Sequence, residues 1–238
     1  MGRGWLVTSS DHGSTRREFV SGAGRLASLA ALTACAPPRS VSAPTAPAAQ
    51  SPAESWDLSW IDRLRAATDR AVFDWPSLGD PGDSIVLQIT ARYLDNCAAA
   101  YEPHTYKAIA VMNIRTTAIP AAMTDAAWSR YSLGAEYNVK DPATQQPAVR
   151  NLFWSRQGLP PAAGILTLEE LVQRGNIILV CDFAMGHLST RLATKVGRSG
   201  DDVHADLRRS LVPGAFAVPS GIFGLARAQN AGCAFVRM

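Results

Sequence analysis

The chain has 238 residues, of which 47% are hydrophobic, 18% charged and 8% aromatic, with a formal net charge of +3. Eighteen glycines, fifteen prolines and four cysteines exclude a collagen-like, low-complexity or disulfide-scaffold protein, and the near-balanced charge argues against a dedicated nucleic-acid binder, whose footprint is a concentrated basic surplus. The charged fraction lies below the roughly 25% of ordinary soluble domains, which points to broad burial, a subunit interface included.

Residues 1–35 read as an export leader. The run Ser14-Thr15-Arg16-Arg17-Glu18-Phe19-Val20 precedes an apolar stretch from about Ser21 to Ala34, and the Arg16-Arg17 pair followed by Phe19 resembles the twin-arginine export signal. Nine uncharged residues separate Arg25 from Cys35, short of the ~20 that span a bilayer, so no permanent transmembrane helix is expected. Leu32-Thr33-Ala34-Cys35 looks like a bacterial lipobox, with Cys35 as the lipid-bearing residue; cleavage after Ala36 is the competing reading. Residues 36–55 hold five prolines, six alanines and four serines, a composition that cannot build a core and suits an extended tether. The expected destination is the periplasm or cell envelope, reached through the twin-arginine machinery, with membrane contact only through the lipid.

The remaining 183 residues, 56–238, carry 18 basic and 17 acidic groups, so the positive surplus belongs mostly to the leader. Arg70–Asp74 is a short β-rich run closed by Pro76. From Ser84 to Tyr101, Ile85, Ile89, Leu94 and Cys97 recur near helical spacing, and Ala108–Ile114 reads as a buried strand. Residues 116–164 are harder to read: a helix is predicted around Asp125–Tyr131, then a polar, proline-containing segment whose length points to function or to a subunit surface. Thr167-Leu168-Glu169-Glu170 has the capping-box pattern and opens a helix closed by Gly175. Asn176–Cys181 is the clearest strand, followed by helices over Phe183–Val196 and Asp201–Ser210. Ala215–Val218 is a short strand, Ser220 caps a helix over Gly221–Asn230, and Cys233–Arg237 is a final strand. Strand-then-helix repetition with apolar, non-alternating strands predicts one α/β domain, a three-layer sandwich whose mostly parallel five-stranded sheet is covered on both faces.

Open parallel sheets place ligands beyond the carboxyl ends of their strands. That selects Cys181 and Asp182 after one strand, Arg115 after another, and Ser220 after a third. Cys181 leads, because it ends an apolar strand and immediately precedes a helix whose N-terminal amides stabilise a thiolate. His187, within two turns of that helix, is a candidate assistant, whereas the Asp182 carboxylate opposes a thiolate. The other reading of Cys181 is inert packing, and of Arg115 a structural ion-pair partner rather than a ligand contact. Cys97 and Cys233 are expected in the core. No Cys-x-x-Cys, His-Glu-x-x-His, P-loop or Gly-x-Ser-x-Gly motif is present and the four histidines are scattered, so neither metal nor cofactor is expected.

The run Gly175–Cys181, a helix, and then Val218-Pro219-Ser220-Gly221 through Gln229, Gly232 and Val236 resembles the C-terminal half of the DsrE/DsrF-like family. The resemblance covers residues 70–238 as an order of strands and 175–236 in detail. It implies a small, flavodoxin-like α/β protein that assembles as a homo-oligomer, with Cys181 at the position where several members carry sulfur as a persulfide. The export leader and the long 116–164 stretch stand apart from the family pattern. Two functions are expected on these grounds. One is a sulfurtransferase-like carrier of small sulfur or thiol compounds acting through Cys181. The other is a non-catalytic module that holds a thiol or anionic ligand near Arg115, or is assembled through interface aromatics Trp128, Tyr131, Tyr137, Phe153 and Trp154.

Overall fold

Strands that are apolar on both sides need cover on both faces. The computed structural model describes residues 56–102, 106–155, 157 and 166–237. The leader, with Arg16, Arg17, Phe19 and the Cys35 lipobox, and the 36–55 linker lie outside the described residues. The strands are β1 (Asp69–Trp75), β2 (Ala108–Ile114), β3 (Ile177–Cys181), β4 (Ala215–Val218) and β5 (Ala234–Val236). They form one open sheet in the order β4-β3-β2-β1-β5, every neighbouring pair parallel. The sheet is therefore wholly rather than mostly parallel. Its order also differs from the 2-1-3-4-5 of flavodoxin, so the likeness holds for the layers and not for the strand sequence.

The helices are α1 (Trp60–Arg65), α2 (Ile85–Ala100), α3 (Asp125–Arg130), α4 (Leu133–Glu136), α5 (Leu168–Gln173), α6 (Asp182–Val196), α7 (Gly200–Arg209) and α8 (Gly221–Asn230). Three crossovers step from β1 to β4 in one direction, and the last returns past three strands to β5. Right-handed crossovers running in opposite directions must use opposite faces. Accordingly Phe73, Met112, Ile178 and Val180 pack with Leu94, Leu171, Leu188 and Leu207 of α2, α5, α6 and α7. On the other face Val72, Val111, Leu179 and Val218 pack with Trp60, Leu64 and Ala228 of α1 and α8.

Two parts of this core have no clear signal in the sequence. Helix α1 is six residues long, too short for a period to register, yet Trp60 and Leu64 one turn apart are fully buried, worth roughly 1.5–3 kcal/mol each. The second is the 116–164 stretch. Residues Thr116–Ala122 form a 3-10 turn whose last five residues are buried, and Trp128, Tyr131 and Phe153 lie in the core of the chain itself. These three are therefore not interface anchors, a correction with a clear cause: they are buried in the same core as Leu94, Leu171, Leu188 and Leu207 of α2, α5, α6 and α7. Asn151, fully enclosed, staples the segment. Its amide donates to the carbonyls of Ala121 at 2.8 Å and Met123 at 2.6 Å, and its oxygen accepts from the Phe153 and Trp154 amides.

Candidate functional site

All five strands end at one edge, but the chain does not leave each end in the same direction. β3 continues into α6 on one face and β4 into α8 on the other. Where outgoing chains part in this way an open sheet has its crevice. A cleft of about 480 Å³ occupies that place, with Arg115, Cys181, His187, Ser220, Thr116, Thr117, Tyr137, Phe183, Leu188, Arg191, Gly221 and Ile222 among its lining residues. The volume falls within the roughly 300–1,000 Å³ of small-molecule sites.

Cys181 lies at the floor, 5% exposed, and is itself the N-cap of α6. Its sulfur accepts from the Ala184 amide at 3.3 Å, so the helix end predicted to stabilise a thiolate does touch the atom in question. The next amide back, Phe183, donates to the Pro219 carbonyl at 3.2 Å, which ties the α6 wall to the β4–α8 turn. Ser220 caps α8, accepting from the Phe223 amide at 3.1 Å.

Arg115 stands beside Cys181, one residue past the Ile114–Val180 pair of the β2–β3 register. Its guanidinium grips both oxygens of Asp74, through Nε at 2.7 Å and an Nη at 2.5 Å. That hydrogen bonding raises its pKa further, against the effect of partial burial, and the nearby Cys181 sulfur adds to the rise. Arg115 is thus an ion-pair partner that also lines the cleft. Gly221 lets α8 sit directly on it, since a Cβ there would lie 2.8 Å from Arg115 Cδ.

The other candidates divide. His187 is exposed at the rim, its ring edge-on to Phe183 with centroids 4.7 Å apart. Asp182 turns away from the cleft to α7, meeting His204 Nε2 at 3.0 Å and Arg208 Nε at 3.3 Å, so the carboxylate set against the thiolate is neutralised elsewhere. Cys97 and Cys233 are buried and free, as expected of core thiols. Arg191 had no signal in the sequence, and Tyr137 was read there as an interface aromatic rather than a cleft residue. Arg191 donates to the Tyr137 hydroxyl at 2.7 Å, lies over its ring, and reaches Glu136 at 3.8 Å, but the two residues are separated by a long stretch of chain. Among the described residues no cluster of three or more His, Cys, Asp or Glu could hold a metal ion, and no helix is long and apolar enough to cross a membrane.

Fold and site together define an open, doubly wound α/β protein with a thiol at its crossover crevice. No protein-family model and no curated protein matches the chain. Among solved structures, a protein of unknown function from Methanobacterium thermoautotrophicum is 16% identical, with a TM-score of 0.34 over 71% of this chain and 99% of that one. A likeness that faint says nothing about the cleft.

Proposed function

We propose that the chain is an exported DsrE-like protein that handles sulfur through Cys181. It would reach the periplasm or cell envelope by the twin-arginine route, with Cys35 or the Ala36 cleavage point deciding whether it stays anchored. The observation that carries the reading is the Cys181 sulfur itself, held by the Ala184 amide on the floor of the crossover cleft beside a guanidinium. In the transfer step the Cys181 thiolate attacks the terminal sulfur of a donor persulfide. A new sulfur–sulfur bond forms, the donor's own breaks, and its thiolate leaves with the electron pair and takes up the proton Cys181 gave up.

Incubation with a low-molecular-weight persulfide should add about 32 Da, one sulfur, to the peptide containing Cys181. Cys181→Ser should lose that mass, and burial pushes the Cys233 thiol up to about 11, which makes it a poor competitor near neutrality. An unmodified Cys181 in the native protein would overturn the reading. A second reading, a ligand-binding or homo-oligomeric assembly module, draws on the rim, where Phe183 and Ile222 are 68% and 79% exposed. Ligand binding or self-association that survives Cys181→Ser, with no sulfur transfer in the native chain, would favour it.

A further inference from the structure

Both guanidiniums and both threonine hydroxyls around the Cys181 cleft are already engaged inside the chain, while His187 at the exposed rim meets Phe183 ring to ring. Arg115 is bound to both oxygens of Asp74. Arg191 is held by the Tyr137 hydroxyl and faces Glu136. The hydroxyls of Thr116 and Thr117 both donate to the Pro76 carbonyl. Three amides of the helix ends are also used, since the Phe183 and Ala184 amides of α6 donate to Pro219 and to Cys181, and the Phe223 amide of α8 donates to Ser220. An anion entering here would have to compete with a carboxylate for each guanidinium. What the walls offer instead is uncompensated apolar surface: Leu188 within, and Phe183 and Ile222 projecting into solvent on either side of the mouth.

We propose that the Cys181 cleft is built for neutral, apolar sulfur compounds, organic persulfides or mixed disulfides with an aromatic or branched aliphatic body, and not for anionic thiols. The inference rests on the sulfur-handling reading but is separable from it. A thiol that accepts sulfur from any small donor satisfies that reading, whereas this one requires the apolar body to be recognised. The apolar part lies between Phe183 and Ile222 and brings its sulfur down to Cys181. Burial of that part, absent for a charged donor of equal size, then favours attack.

Matched methanethiosulfonate reagents test this with the full chain. Each reacts in the same balanced step: the Cys181 thiolate bonds to the reagent's sulfenyl sulfur, the sulfur–sulfonyl bond breaks, and methanesulfinate leaves with the electron pair. Rates are read at the Cys181 peptide for benzyl, sulfonatoethyl and trimethylammonioethyl reagents, each divided by its rate with glutathione. Cys181→Ser supplies the background from the other cysteines. The benzyl reagent should lead both charged ones by about tenfold or more, the size expected for burying one aromatic ring. Phe183→Ser with Ile222→Ser should collapse that lead to within about twofold, because both side chains are exposed and their loss removes the walls and not the core. Equal normalised rates, or a lead that survives the double substitution, would overturn the inference. So would a faster anionic reagent, which would make Arg191 an anion clamp. Sulfur transfer to Cys181 can persist in any of these cases.

Discussion

Asp74 carries more of the site than its place in mid-chain would indicate. It is 7% exposed, holds the Arg115 guanidinium with both oxygens, and accepts from the Asn113 side-chain amide at 3.1 Å. Removing it would leave a half-buried cation and a buried donor without their partner. Asp74→Ala should therefore cost about 2–4 kcal/mol, read as a lowered urea midpoint at unchanged slope. A loss below about 0.5 kcal/mol would mean that Arg115 simply swings into solvent. The pairing was hidden from sequence reasoning because 41 residues separate the partners; only the β1–β2 register, which sets Asp74 opposite Asn113, brings them together. Cys181 is the opposite case. Its role as strand end and helix cap is written in six consecutive residues, so the sequence nominated it directly.

At the scale of elements, α8 shows how a helix can be legible while its placement is not. Ser220 and the apolar spacing announce the helix, but its closeness to the sheet depends on Gly221, Gly224 and Ala228 forming a face without bulk. A Cβ on Gly224 would lie 2.8 Å from Asn113 Oδ1 and 3.3 Å from Leu179 Cδ1. Alanine is the better helix former by about 1 kcal/mol, yet here Gly224→Ala should destabilise by about 1–3 kcal/mol, because the sheet cannot yield. Gly186 in α6 is the control: nothing lies within 4 Å of its Cβ position, and Gly186→Ala should stabilise by up to about 1 kcal/mol. Chemical denaturation of both variants checks the contrast in sign. The junction of α3 with α7 adds a pH dependence. Partial burial pushes Asp206 upward, but the Tyr131 hydroxyl and the Arg130 guanidinium outweigh it and hold the carboxyl below its usual 3.8. A carboxylate lowered on folding contributes stability above the unfolded value that is lost as pH falls through the folded one. Asp206→Asn should accordingly weaken the protein at pH 7 and flatten its decline below about pH 4. Thermal melts from pH 7 down into acid should separate the two proteins at neutrality and bring them together at low pH; a constant gap would refute the linkage.

Over the whole molecule, local pattern accounts for the class and tertiary packing for the site. Apolar runs at 108–114 and 176–181, a capping box at Thr167 and a cap at Ser220 each report on a few neighbouring residues, and each element forms where those residues indicate. Buried strands with helices between them then leave little choice but a parallel sheet covered on both faces. The low charged fraction of the folded part has the same origin, since β3 is buried along its whole length and three large aromatics of the 116–164 stretch fill the core. Strand order is another matter, because apolar strands of similar length can exchange neighbours without changing their own patterns. That order decides that β3 and β4 send their chains to opposite faces, and so where the crevice opens. It also brings Arg115, Thr116, Tyr137 and Arg191 to the mouth of Cys181 from segments with no local reason to meet. The amino-acid sequence by itself determined the five strands, the longer helices, the layers and the leading thiol, because those depend on short-range spacing. The cleft, its engaged guanidiniums and its apolar rim were decided only by the fold, because they depend on contacts between residues far apart in the chain.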